Sequence, residues 1–261
     1  MEKMKNAFVI LIAFITCCTF FCSCVNSKYK SFKITKAFIK SNQQIVDTTD
    51  NSLLNYPDSL ILFSCGGYTV LYFNKLKVDY KVVSTENSDS LTLLKEEKQW
   101  FSYVYNEGIE NGLFFDSLVN GTPAVLNTDS ILRKHTPRLS ISSDDHLDYW
   151  EQISELTDSS IITETYISKS KNDYGNTDTL KLYYSDEYEE VNCDLSKEMS
   201  NRKKHKLFKY SLVISESYDA VRKTIVPKRE LFMEMGKINM KEAERENILK
   251  AIKMFDSKFK K

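Results

Sequence analysis

Leu60-Ile-Leu-Phe-Ser-Cys-Gly-Gly-Tyr-Thr-Val-Leu-Tyr-Phe73 is the stretch from which the fold is interpreted. Two runs of aliphatic, β-branched and aromatic residues flank Gly66-Gly67, which is the pattern of two strands joined by a tight turn. A third run, Val78 to Val83, follows Asn74-Lys75. We predict that these three segments form an antiparallel meander, and that Leu113 to Val119 is another strand, which turns at Asn120-Gly121.

Two stretches carry apolar residues at helical spacing. The first begins at Ser88-Asp-Ser90, which can cap a helix ending near Gly108, and its apolar positions are Leu91, Leu94, Phe101 and Tyr105. The second begins at Ser142, where Asp145 completes a variant of the capping box, and its apolar face is Tyr149, Trp150, Ile153 and Leu156. We predict an amphipathic helix in each stretch.

The carboxyl-terminal part of the chain returns to strands. Ile161 to Ile167 and Thr179 to Tyr184 flank a loop that contains Gly175-Asn176, which predicts a long hairpin. Leu207 to Ile214 and Val221 to Met235 are further extended segments, and Pro227 marks an edge or bend. The chain closes on a predicted helix from about Met240 to Phe255. Strands and helices occur in groups without β-α alternation, which favours an α+β fold with antiparallel strands in meanders and hairpins.

Composition limits the classes of function. Lys and Arg together number 36, and so do Asp and Glu, so no strong field favours binding to nucleic acid. Residues 24–55 are polar except for an apolar patch at Phe38-Ile39, and they predict a tether that leads into a first strand or helix. Residues 56–261 are long enough for one α+β ectodomain, with a boundary or surface loop at 136–143.

The amino terminus has the layout of an export signal. Lys3 and Lys5 precede an apolar run from Ala7 to Phe21, and the small residue Ser23 follows. The run is short of the roughly 20 residues of a membrane-spanning helix, although an uncleaved anchor is the alternative. We predict that residues 1–23 form a signal peptide that is removed.

Phe21-Cys22-Ser23-Cys24 resembles the lipobox of bacterial lipoproteins, in which a small residue precedes the lipidated cysteine. The resemblance covers only this end of the chain and implies processing rather than activity. It makes Cys24 the first residue of the mature protein, carrying a thioether-linked diacylglycerol and an amide-linked acyl chain that hold it on a membrane of the cell envelope. Val25 to Lys30 is neutral and then basic, from which we expect the ectodomain to face the periplasm.

Cys65 and Cys193 are the two cysteines left outside the signal and lipid site. In an oxidising envelope they can form a disulfide, and the alternative is two buried thiols. Cys65 is also the sharpest catalytic candidate, because a thiol beside Gly66-Gly67 can lie on an open turn with backbone amides near it. His135 or His146 would then be the base of an envelope cysteine hydrolase.

The other polar clusters have structural explanations. Asp144, Asp145, His146 and Asp148 suit the start of a helix, and Asn172 to Asp178 suits a hairpin turn better than a calcium loop. The opposite charge runs Asp186 to Glu190 and Arg202 to Lys206 predict solvated loops that can engage each other or a charged partner. No motif predicts a metal or cofactor, and no residue is assigned as catalytic.

The function predicted from the sequence is therefore broad. We expect a membrane-anchored envelope lipoprotein whose ectodomain works by binding or assembly. The alternatives are the Cys65 hydrolase and a structural or inhibitory partner of another envelope protein, for which an exposed strand edge would matter.

Overall fold

The structure is a computed structural model that describes residues 32–47, 52–85, 88–117, 121–135, 147–172, 175–221 and 223–260. It does not describe the side chains of residues 56, 76–96 and 135. The predicted signal peptide 1–23, Cys24 and the predicted boundary at 136–143 lie outside the described residues.

The described residues form strands and α-helices in two groups, one on each side of the gap at 136–146. The first group is β1 (Thr35–Val46), β2 (Leu53–Cys65), β3 (Tyr68–Thr85), β4 (Ser88–Asn106), β5 (Asn111–Phe115), β6 (Ala124–Asn127) and α1 (Thr128–His135). The second is β7 (Trp150–Asp158), β8 (Ile161–Ser168), β9 (Thr179–Tyr184), α2 (Lys197–Lys203), β10 (Leu207–Ile214), β11 (Ser217–Asp219), β12 (Thr224–Val226), β13 (Arg229–Lys237) and α3 (Glu242–Phe259).

Eleven of these strands form one antiparallel sheet in the order β6-β5-β4-β3-β2-β1-β13-β10-β9-β8-β7. Strands β1 to β6 run as a meander from the centre to one edge, and β10 to β7 run to the other edge. The last strand, β13, pairs with both β1 and β10 and so joins the two meanders. The predicted α+β class, with antiparallel meanders and a carboxyl-terminal helix, is confirmed.

Strand β1 lies inside the range 24–55 that we predicted to be a polar tether. Its side chains alternate, so that Ala37 and Ile39 are buried while Lys36, Phe38 and Lys40 face the other side. It pairs with β2 along its whole length and with β13 over seven residue pairs. The polar composition of this segment belongs to a strand with one solvated face, so the predicted tether contains a central strand of the sheet.

The predicted helix between Ser88 and Gly108 is wrong. These residues form β4, which pairs with β3 from Tyr68↔Asn106 to Thr85↔Ser88. A four-residue spacing such as Phe101 to Tyr105 fits a strand as well as a helix, because four is a multiple of the strand period of two. The same pairing shows that β3 is one continuous strand rather than two.

The predicted helix over Tyr149 to Leu156 is also wrong, because Trp150–Asp158 forms β7. The register with β8 shifts between Gln152 and Ser154, so Ile153 is an extra residue in a β-bulge. A bulge interrupts the two-residue alternation of a strand. Trp150, Ile153 and Leu156 therefore fall at the three-residue spacing that is typical of a helix.

The two faces of the sheet are covered differently. We call the face that carries Leu62, Leu71 and Tyr103 the core face; the segment 185–203, which includes α2, packs there in one continuous apolar cluster. We call the opposite face, which carries Phe63, Cys65 and Val70, the helix face.

Helix α3 packs against the helix face near β3 and β4. Its buried side chains are Ile248, Ala251, Ile252 and Phe255. Tyr68 Oη donates to Asp256 Oδ1 at 2.5 Å, and Lys36 Nζ donates to Glu244 Oε1 at 2.8 Å. This helix was predicted from the sequence, and it extends one turn further than expected.

The sheet has two ends, which we name after β1. At the Val46 end, β1 passes to β2 and β10 passes to β11. At the Thr35 end, β2 turns into β3 at Gly66-Gly67, and the segment that includes α2 joins β9 to β10.

Candidate functional site

Cys65, the catalytic candidate of the sequence, is buried on the helix face with 2% of its surface exposed. Burial raises the pKa of its thiol to about 11, although the charge of Arg245 acts in the opposite direction. At neutral pH such a group is a protonated thiol and a poor nucleophile. The proposed base His146 and the side chain of His135 lie outside the described residues.

Cys65 and Cys193 are both free thiols in the structure, and Cys65 is buried whereas Cys193 is half-buried by its exposed surface. Strand alternation places Cys65 on the face opposite Ser64, and Ser64 Oγ accepts a hydrogen bond from Asn192 N at 2.7 Å. The segment that carries Cys193 therefore packs on the core face, with the sheet between the two sulfurs. Burial raises the pKa of Cys193 to about 11.

The remaining polar candidates are structural where they are described. Asn172 O accepts from Gly175 N and Asn172 Oδ1 from Asn176 N, so this loop is a hydrogen-bonded turn, as predicted. Asp144, Asp145 and His146 lie outside the described residues. Among the residues that are described, no three His, Cys, Asp or Glu side chains gather as a metal-binding group.

The two charge runs meet, but the basic run is not the solvated loop that we predicted. His205 Nδ1 lies 2.5 Å from Asp186 Oδ1, which joins the two runs. Arg202 and Lys203 belong to α2 and turn towards the sheet, where they contact the carboxylate of Glu164 at 2.9 and 3.0 Å. The buried carboxylate holds both cations against the sheet, and Lys203 is the more buried of the two, with 17% of its side chain exposed against 35% for Arg202.

Glu164 is the centre of a polar cluster on the core face, with only 5% of its side chain exposed. Its Oε2 accepts hydrogen bonds from Tyr166 Oη at 2.9 Å and Tyr184 Oη at 3.0 Å as well as from Arg202. Burial, followed by the nearby charge of Glu164, raises the pKa of Tyr184. Every oxygen of the carboxylate has a donor, so the cluster holds α2 against β8 and β9.

The cluster reaches the edge strand β7 through one cation. Lys203 Nζ lies 2.8 Å from Glu155 Oε1 on β7 and 3.0 Å from Glu164 Oε1 on β8. The two carboxylates raise the pKa of Lys203 against the opposing effect of its burial. The hydrogen bond from Lys203 lowers the pKa of Glu155. This contact fixes β7 from the core face and leaves its outer side uninvolved.

Strand β7 ends the sheet, and no described strand pairs with its outer side. It is nine residues long, or roughly 30 Å at the usual rise of a strand. Seven of its nine residues are exposed. Its outer backbone N–H and C=O groups therefore form a template onto which another extended segment can add.

The side chains along this edge combine apolar and acidic groups. Ile153 is 53% exposed and Leu156 is 66% exposed. Glu151, Leu156 and Asp158 lie on one face of β7, because they pair with Ile167, Thr163 and Ile161 of β8. The strand contains three acidic residues and no Lys, Arg or Pro. The devices by which edge strands usually prevent pairing are limited here to the bulge and the acidic charge.

Sequence reasoning missed both parts of this site. It assigned β7 to a helix, and it gave Glu164 no role. A signal for Glu164 exists: Ile162, Glu164 and Tyr166 share one face of a predicted strand, so the carboxylate must lie among core residues and needs buried partners.

Searches with protein-family models and among curated proteins found no match to this chain. In the described part of the chain, no helix is both long enough and apolar enough to cross a membrane. The candidate site is the outer side of β7, which is defined by its geometry alone.

Proposed function

We propose that this chain is a lipid-anchored protein of a bacterial cell envelope that works as a binding module. In this proposal an extended segment of another envelope protein adds to the outer side of β7. The observation that carries the proposal is an edge strand of nine residues whose outer side pairs with no described strand. Addition of a strand to an exposed sheet edge is a common mode of peptide recognition.

The partner segment is proposed to be basic. Glu151, Glu155 and Asp158 give β7 three negative charges and no positive ones, and Lys203 pairs with that of Glu155 from the core face. A second copy of the chain would bring another three acidic residues to the same edge, and like charges on neighbouring strands are destabilising. A segment that alternates Lys or Arg with aliphatic residues complements both the acidic and the apolar side chains of β7.

Membrane attachment is the second part of the proposal, and the lipobox-like sequence at Cys24 supports it. The cysteine hydrolase is not favoured, because Cys65 is buried and its pKa is raised. Replacing Cys24→Ser in the native host should leave an unprocessed precursor. Mature protein of normal mass from this variant would contradict lipidation without affecting the binding edge.

The edge can be tested with synthetic peptides as probes. A blocked peptide of alternating valine and lysine is added to the full chain, and amide hydrogen exchange is followed strand by strand. We expect slower exchange in β7 and no change in β6, while a peptide of alternating valine and glutamate has no effect. Equal protection by the two peptides, or protection of β6, would refute the proposal.

A pair of variants tests the same contact from the side of the protein. Leu156→Lys places a positive charge on the exposed surface of β7, and Val125→Lys does so on β6, where Val125 is 43% exposed. An exposed charge pair is worth up to ~1 kcal/mol, so Leu156→Lys should weaken binding of the basic peptide up to about fivefold at low salt. Val125→Lys should leave the affinity unchanged, as measured by fluorescence anisotropy.

A further inference from the structure

The hairpin of β11 and β12 stands apart from the eleven-stranded sheet. It is inserted between β10 and β13 at the Val46 end, and its pairs are Ser217↔Val226, Tyr218↔Ile225 and Asp219↔Thr224. Its side chains are exposed or half-buried throughout. None of its side chains belongs to the apolar core cluster of the sheet.

The hairpin presents apolar side chains to solvent. Val221, in the turn, is 94% exposed. Tyr218 and Ile225 lie directly opposite each other and are 39% and 51% exposed. A second opposed pair at the same end of the sheet, Ile45 and Leu54, is 48% and 39% exposed. Five of the exposed large apolar side chains therefore belong to segments at one end of the molecule.

The turn holds Val221 outward. Val221 N donates to Asp219 Oδ1 at 3.0 Å, which uses the acidic group of the hairpin within the turn itself. Lys223 has a positive φ of 55° that reverses the chain back into β12. The exposure of Val221 is thus part of the turn geometry.

Basic residues flank the hairpin. Lys223 lies in the turn beside the apolar tip, and Lys228 follows β12 at the base, where Glu216 and Glu230 are also exposed. Both lysines are exposed, and neither has an ion-pair partner among the described residues. The sequence adds Arg222 and Arg229 within the same few residues. An apolar tip with an aromatic residue and basic neighbours is the combination that binds the interface of an anionic bilayer, where apolar groups enter the acyl boundary and cations remain with the head groups.

We propose that the β11–β12 hairpin is a membrane-contact element that places Val221 in the interface of an anionic bilayer. The inference rests on the membrane attachment in the proposed function.

The experiment uses the full chain in vesicles that contain brominated lipids, which quench tryptophan on contact. Val221→Trp reports on the tip. Lys197→Trp, at an exposed position of α2 at the Thr35 end, is the matched control. With phosphatidylglycerol in the vesicles, we expect quenching of the tip tryptophan beyond that of the parent protein, and none beyond it for the control. Equal quenching of the two variants, or quenching of neither, would refute the inference.

The charge contribution has its own control. A basic residue near an anionic surface contributes about 1 kcal/mol, so Lys223→Ala in the Val221→Trp protein should lower the ratio of membrane-bound to unbound tip about fivefold. The quenching should also fall in pure phosphatidylcholine vesicles and at high salt. Quenching that is unchanged by charge and salt would contradict recognition of an anionic surface.

Flotation of the vesicles separates the two proposals. Protein that fails to float with the vesicles contradicts membrane attachment. Protein that floats but shows no quenching at the tip contradicts only the inference about the hairpin, and it would be the result if the hairpin docked on a protein instead.

Discussion

The two edges of the sheet are built differently. Strand β6 has four residues and ends directly in α1, and Tyr103 Oη bonds to Leu126 O and Thr128 Oγ1 at 2.9 Å each. Strand β7 has nine residues and is held from the core face by Lys203 and Glu155, which leaves its outer side unengaged by the described residues. The β6 edge is short and is fixed by hydrogen bonds at its end, whereas the β7 edge is long and is fixed by an ion pair on the core face only.

The short edge is protected against pairing with another strand, whereas the long edge is exposed to such pairing. A short edge that runs into a helix offers too few backbone groups for another strand to pair with. The long edge offers a full strand, and the polar cluster beneath it keeps that strand in place. The buried carboxylate of Glu164, with the cations that it binds, therefore supports the long edge of the sheet.

The largest expected effect comes from the support of β7. Glu164→Ala removes the carboxylate that Arg202, Lys203 and two tyrosines share. We expect the free energy of unfolding to fall by about 3–5 kcal/mol, because partly buried cations lose their partner. Denaturant unfolding measures the change. Glu164→Gln removes the charge but keeps a hydrogen-bond acceptor, so it should cost less than Glu164→Ala. A Glu164→Gln protein as stable as the parent would mean that charge is not what supports this edge.

The exposure of the two edges can be compared with engineered thiols. Leu156→Cys and Val125→Cys should each be alkylated rapidly, against a slow background from Cys65 and Cys193, whose pKa burial raises to about 11. An exposed thiol has a pKa near 8.5, so its thiolate fraction at neutral pH is at least about 100-fold larger. Peptide-resolved mass spectrometry gives the rates.

The basic peptide should then protect only the β7 variant. Fast alkylation of Cys65 in the native protein would instead reopen the hydrolase hypothesis, since it would show an accessible and ionised thiol.

The hydroxyl of Tyr103 is one of the groups that fix the end of the short edge, together with Glu110, which accepts from Thr128 N and Asn127 Nδ2. Tyr103→Phe leaves Leu126 O without its donor and Thr128 Oγ1 without its hydrogen-bond partner, and it should lower the free energy of unfolding by about 1–3 kcal/mol. Hydrogen exchange should quicken in β6 and the start of α1 and stay unchanged in β7. Faster exchange in both edges would show that the edges are not secured independently.

The smallest effect is the pH response of the long edge. The pKa of Glu155 is lowered in the folded protein, chiefly by the hydrogen bond from Lys203. Its contribution is therefore fully present above the ordinary value of 4.5 and is lost as the pH falls through the lower folded value. As the pH falls through that range, amide exchange in β7 should become faster relative to amide exchange in β6. Glu155→Gln should abolish this acceleration.

The sequence predicted a large part of the fold where the evidence was local. The hairpin of β8 and β9, strand β10 and helix α3 follow from alternation, a glycine turn and an amphipathic period, and all are present. The predictions for β4 and β7 were wrong because apolar residues four apart, in β4, and a β-bulge, in β7, fit the period of a helix as well as that of a strand. Only pairing with the neighbouring strand decides between them, and that pairing involves residues distant in sequence.

The candidate site was less accessible to sequence reasoning than the fold. An exposed strand edge was expected under one of the alternative functions, but the strand that forms this edge, β7, was predicted to be a helix. The basic run in α2 looked solvated because its carboxylate partner, Glu164, lies 38 and 39 residues away from Arg202 and Lys203. A long-range ion pair leaves no periodic signal in either segment.

The sequence by itself determined the α+β class and the amphipathic closing helix, because hydrophobic period and turn residues act over a few neighbours. The tertiary structure decided that β13 closes on β1, that β7 is left at the edge, and that Glu164 gathers its cations. These outcomes depend on which strands pair and which face is buried. Such choices are made by the free energy of the whole sheet rather than by any one segment.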